Sequence, residues 1–155
     1  MKKLFIIAFM TLAAACAPPQ GTSTQVENSG ALEIRDAWAG ASPGGVDVAA
    51  GYLTIANGTG ADDRLITASS PRAARVEIHE MTMDNDVMRM RAIEGGLPLP
   101  AGGIVELAPG GLHLMFMGVT EPFVEGETVA VTLNFESGGA IETTLPVRAG
   151  ATHGH

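Results

Sequence analysis

Ala74-Arg-Val-Glu-Ile-His-Glu-Met-Thr-Met-Asp-Asn-Asp-Val-Met-Arg-Met-Arg-Ala-Ile93 holds two strand-like runs around a central turn. Val76 and Ile78 alternate with Glu77, His79 and Met81, the two-residue period of a strand with one face on a core. Met83-Asp-Asn-Asp86 is a turn signal. A second strand-like run follows at 87–93, so the stretch reads as a β-hairpin. With Asp84-Asn85 as a two-residue loop, Met83 faces Asp86, Met81 faces Met88, and His79 faces Met90. Directly opposed side chains have Cβ atoms roughly 5 Å apart.

The same kind of segment recurs on both sides. Short apolar and β-branched runs separated by Gly, Pro, Asn and Asp predict strands near 32–38, 48–56, 64–69, 74–82, 87–93, 104–107, 111–117, 127–135 and 140–147. No window of helical length shows a 3.6-residue period. About nine short strands in one all-β unit read as a Greek-key β-barrel or sandwich. The 20 Gly and 9 Pro fit that class. There is no internal repeat, and 155 residues suffice for one domain with a real core.

The ends read differently. Met1-Lys2-Lys3, an uncharged run from Leu4 to Ala15 and then Cys16 predict a secretory leader over 1–16. The run is too short to span a bilayer as a helix. Leu12-Ala-Ala-Ala-Cys16 resembles a bacterial lipobox, which makes Cys16 a candidate lipidation site and the protein a candidate membrane-anchored lipoprotein. The competing cut, after Ala17, would leave Pro18 first. Residues 17–31 are rich in Pro, Gly, Ser and Thr and read as a flexible tether. The β-domain is expected over 32–147, with a tail over 148–155 ending His153-Gly-His155.

Charge and cysteine usage exclude several functions. Lys2 and Lys3 are the only lysines, so beyond the leader 7 Arg stand against 17 Asp and Glu, a net charge of −10. Nucleic acid as a partner demands the opposite sign. Cys16 is the only cysteine. The folded domain therefore has neither a disulfide nor a thiolate ligand, and a blue-copper electron-transfer centre is excluded.

Beyond the leader, all six methionines lie in two clusters, and each cluster carries a histidine: His79, Met81, Met83, Met88 and Met90, then His113, Met115 and Met117. In 111–117, Leu112, Leu114 and Phe116 form one row, and His113, Met115 and Met117 the other. Core methionines should continue the Leu, Val and Ile rows. These alternate with them, and exposed methionine is oxidisable. Imidazole with thioether is a soft, neutral donor set that suits Cu(I); zinc prefers thiolate, imidazole or carboxylate, and calcium prefers oxygen. His79, Met90, His113 and Met115 could close one site from three strands.

At these residues the chain resembles the periplasmic copper chaperone family PCuAC, whose signature is His, ten residues, Met, twenty-one residues, His-x-Met. His79 and Met90 are separated by ten residues; Met90 and His113 are separated by twenty-two, one more than usual. The insertion is assigned to the Glu94-Gly-Gly-Leu-Pro loop. Gly51-Tyr-Leu-Thr-Ile-Ala-Asn57, Val76-Glu-Ile-His-Glu-Met81, Pro100-Ala-Gly-Gly103 and Pro109-Gly-Gly-Leu-His113 are also similar to the family. One departure is Gly40, where the family commonly has Arg two places after Trp38.

The resemblance implies a cupredoxin-like barrel carrying Cu(I) on His79, Met90, His113 and Met115. It implies delivery to cytochrome c oxidase, at the dinuclear copper centre of its copper-accepting subunit, beside a thioredoxin-like assembly partner. Met81, Met83, Met88 and Met117 are expected as a hydrophobic collar or capture surface around the ion. His153 and His155 are candidates for an accessory copper site that would also take Cu(II). The alternative function is a periplasmic copper-sequestering lipoprotein with no dedicated oxidase target. No catalytic triad or phosphate loop points to an enzyme.

Overall fold

The computed structural model describes residues 30–149, and among these every regular element is a strand. They are β1 (Leu32–Gly40), β2 (Val48–Asn57), β3 (Asp63–Ser69), β4 (Ala73–Asp84), β5 (Val87–Ala92), β6 (Leu97–Leu99), β7 (Ile104–Leu107), β8 (Leu112–Val119), β9 (Thr128–Phe135) and β10 (Gly139–Arg148). The expected leader with Cys16, the tether up to residue 29, His153 and His155 lie outside the described residues, while Arg148, expected in the tail, ends β10.

Seven strands close a barrel in the order β4-β8-β2-β1-β10-β9-β3, with Ala68 of β3 pairing Val76 of β4 to complete the circuit. All pairings are antiparallel except β1 with β10. Three short strands attach outside it: β5 to β4, β6 to β3 and β7 to β2. Closure removes most free edges. It also gives each strand one face for the core, which explains the two-residue period in the sequence. Phe116, Phe123, Leu53, Ile55, Leu114 and Leu145 are among the residues wholly inside. Phe116 and Phe123 meet edge to face at 5.2 Å. Gly51 is required by this packing, because a Cβ there would lie 2.8 Å from both Phe116 and Leu145.

Two expectations need correction. β6 falls where the sequence predicts loop, since it is three residues long and contains Pro98. It forms because Leu97 and Leu99 bury their side chains while the chain pairs with Asp63–Leu65. The second is the hairpin loop, which is Asn85-Asp86 rather than Asp84-Asn85. Both loop residues have positive φ, 50° and 62°. A primed hairpin turn needs this, and Asn and Asp tolerate it better than most residues. Asp84 then pairs with Val87, Met83 with Met88, Met81 with Met90, and His79 with Ala92. The register thus moves by one pair. Because strand side chains alternate, a two-residue shift leaves every side chain on its expected face.

Candidate metal centre

β4 lies between β5 and β8, and the three strands present one continuous outer row. On β4 that row is Arg75, Glu77, His79, Met81 and Met83. The paired residues on β8 are Met117 opposite Arg75, Met115 opposite Glu77 and His113 opposite His79. On β5 they are Ala92, Met90 and Met88, opposite His79, Met81 and Met83. The core row of β4, Val76 and Ile78, packs against Phe116 and Leu114. At Glu80 it leaves the barrel, and Glu80 there takes an ion pair from Arg91 at 3.1 Å.

The two histidines are directly opposed, with ring centroids 5.8 Å apart and planes tilted by 55°. His113 is only 3% exposed. Its Nδ1 lies 3.1 Å from the carbonyl oxygen of Gly111. A carbonyl can only accept, so Nδ1 carries the proton and Nε2 keeps its lone pair. Burial pushes this imidazole's pKa below the ordinary value; the Gly111 carbonyl works against that, and the neighbouring His79 adds to it. His113 is therefore a neutral donor at neutral pH.

His79 is held from the other side. Its Nε2 lies 2.9 Å from Oε2 of Glu77, two residues back on the same face. The carboxylate accepts, so in the neutral ring Nε2 carries the proton and Nδ1 the lone pair. Nδ1 is buried and has no hydrogen-bond partner. Leaving a buried polar atom unsatisfied costs on the order of 1–3 kcal/mol, and such an atom calls for an explanation. The Glu77 carboxyl is held below its ordinary pKa, first by the hydrogen bond from His79. Desolvation opposes this, and the charges of Arg75 and His79 assist it. Arg75 forms an ion pair with Glu77, its Nε 3.2 Å from Oε1.

The methionines flank this pair. Met115 is half-buried, between Glu77 on β4 and Ala50 on β2, and diagonal to His79. Met90 is 47% exposed. It does not face His79 directly, as the expected register had it, but lies one pair outward, opposite Met81 and diagonal to His79 on the same face. Diagonal neighbours are still within reach of long side chains. Met117 has a different engagement, its sulfur accepting from Nε of Arg75 at 3.3 Å. Among the described residues no three His, Cys, Asp or Glu side chains gather in a way that could hold a metal ion. What this face offers is two imidazole lone pairs and thioethers.

The two-residue period places Glu77 on this face without indicating a task for it. The available signal was a carboxylate two residues before a histidine on one strand. Gly111 acts through its backbone and left no side-chain signal. Trp38 stacks on Tyr52 at 4.5 Å, and the Arg148 guanidinium lies 5.7 Å over the Trp38 ring. Gly40, where the family's Arg is missing, is paired with Arg148.

Residues 32–147 match a family model described as LpqE-like lipoprotein. A protein of Leifsonia xyli subsp. xyli that carries a lipoprotein's name, Lxx21020, is 30% identical over 131 residues, which is 84% of this chain and 77% of that one. The copper-bound PCuAC domain from PmoF2 superposes with a TM-score of 0.66 at 27% identity, over 77% of this chain and 94% of that one. The Cu(I) form of DR1885 from Deinococcus radiodurans superposes with a TM-score of 0.60 at 27% identity, over 83% and 87%.

Proposed function

This chain belongs to the LpqE-like family and shares its fold with PCuAC domains, and from that premise we propose that it is an exported copper chaperone. In this reading it binds Cu(I) through Nδ1 of His79, Nε2 of His113 and the sulfurs of Met90 and Met115. One observation carries the proposal: two imidazoles stand side by side, each with one N–H engaged and the other nitrogen's lone pair unused. Thioethers flank them, and a soft neutral set of this kind selects Cu(I) over zinc, calcium and magnesium. One solved relative is a copper-bound domain and the other a Cu(I) form, which supports copper as the metal.

The four donors have unequal access. His113 is buried and Met115 half-buried, whereas Met90 is open to solvent. Met90 is therefore the donor that an incoming ligand displaces first, while the histidines keep hold of the ion. That order suits a carrier, which must bind tightly yet release. The role is binding rather than catalysis. The recipient is the copper-accepting subunit of cytochrome c oxidase at its dinuclear centre, working with a thioredoxin-like assembly protein. The leader, Cys16 and the lipoprotein names of the relatives support an exported, lipid-anchored address, the periplasm.

The test is an anaerobic Cu(I) titration of the wild-type chain against His113→Ala/Met115→Ala. Loss of tight binding in the variant is expected; equal, weak binding by both would remove the site. Incubating the loaded chain with the apo oxidase subunit then separates delivery from storage, since a sequestering protein leaves the subunit empty.

A further inference from the structure

The hairpin that carries Met90 runs on past the histidines. β5 pairs only with β4, and its residues are exposed on both faces. The two faces differ in chemistry. On one, Arg91 pairs with Glu80 at 3.1 Å and Arg89 with Asp84 at 3.0 Å. The other presents Met81 opposite Met90 and Met83 opposite Met88. Met83 is 66% exposed and Met88 56%.

A collar around a copper ion at the histidines would have to lie against that ion. Met83 is four residues beyond His79, about 13 Å along the strand. The Met83–Met88 pair therefore shields nothing at the histidines. If the tip were merely an apolar patch, Leu or Val would serve and would resist oxidation; every side chain on this face from Met81 to Met90, outside the turn, is instead a thioether. With Met90 assigned to the histidine site, Met81, Met83 and Met88 remain. Strand pairing and the two-residue spacing hold their Cβ atoms within about 5–8 Å of one another. Each side chain has three rotatable bonds, so the sulfurs can converge on one point. Asp86 sits at the tip of a strongly acidic chain, which favours the approach of a cation, while Asp84 is paired with Arg89.

We infer that the hairpin tip is a second Cu(I) site, built from Met81, Met83 and Met88 and separate from the histidine site. The inference rests on the proposed function in one respect, that this chain handles Cu(I). Three neutral sulfurs form a soft donor set that takes Cu(I) ahead of Cu(II), zinc or calcium, so the tip selects the reduced ion.

The experiment is an anaerobic Cu(I) titration of the full chain against a competing chelator, with the methionine ε-methyl groups followed by carbon-13 NMR. Wild type should take two equivalents, with the Met83 and Met88 methyls moving as one of them binds. Met83→Leu/Met88→Leu keeps the apolar surface and touches no core residue; it should take one equivalent. His79→Ala/His113→Ala should keep one, with the Met83 and Met88 signals still responding, and folding of this variant is checked by circular dichroism. A wild-type chain that takes one equivalent while Met83 and Met88 stay still overturns the second site and leaves the histidine site standing. An unchanged stoichiometry in Met83→Leu/Met88→Leu overturns it as well. A wild-type chain that takes no Cu(I) overturns both.

Discussion

Glu77→Ala should weaken Cu(I) binding although Glu77 touches no copper in the proposed site. The carboxylate accepts from Nε2 of His79 at 2.9 Å and so assigns the lone pair to the buried Nδ1, on a ring whose centroid lies 5.8 Å from that of His113. Without it, the neutral ring can put its proton on Nδ1, and the donor is lost for that fraction of molecules. Removing the partner of a ligating histidine typically costs 10–100-fold in metal affinity. The Glu77 side chain is 34% exposed, so water replaces part of what it does, and the lower end, about 10-fold, is expected. The assay is a competitive Cu(I) titration at neutral pH, with nitrogen-15 shifts of the His79 ring reporting its tautomer. Glu77→Gln retains an accepting oxygen and should recover most of the loss. An affinity unchanged in Glu77→Ala, or a His79 tautomer that does not respond to it, would show that Glu77 does not set the donor nitrogen.

Three further outcomes test the fold. Asp63 accepts backbone N–H bonds from Arg64, Ser137 and Gly138 at 2.7–2.9 Å. Burial alone would raise its pKa, but the bonds from Ser137, Arg64 and Gly138 outweigh that and lower it. Asp63→Ala should therefore cost about 1–3 kcal/mol. That stabilisation is present above the unfolded carboxyl pKa and is lost as pH falls through the lower folded value; the gap in melting temperature between wild type and variant should be full at pH 7 and shrink in strong acid. Gly51→Ala should cost about 1–3 kcal/mol by overpacking against Phe116 and Leu145, read from urea midpoints. Asp86→Gly should stabilise the hairpin by up to about 1 kcal/mol by relieving a residue at φ 62°, seen as slower hydrogen exchange across Met81–Met90.

Much of this was legible in the residues because a strand's period is simple. Val76 and Ile78 against Glu77, His79 and Met81 gave the faces of β4, and Leu114 and Phe116 against His113 and Met115 gave those of β8. The structure keeps each of these on its expected face. The hairpin register was harder. Asp84-Asn85-Asp86 offers two acceptable two-residue loops, and the choice between them depends on left-handed backbone at Asn85 and Asp86. β6 escaped because three residues carry too short a pattern. Alternation also gives a side chain's face but not what covers it, so the burial of His113 was not foreseeable. Gly111 holds that ring through a carbonyl, which no side-chain motif records.

In the proposed site one Cu(I) ion sits between the two imidazoles and two of the thioethers. X-ray absorption of Met83→Leu/Met88→Leu, loaded anaerobically with one equivalent of Cu(I), tests it most directly. A first shell of two nitrogens and two sulfurs is expected. A shell of nitrogen and oxygen alone, or of sulfur alone, would contradict it.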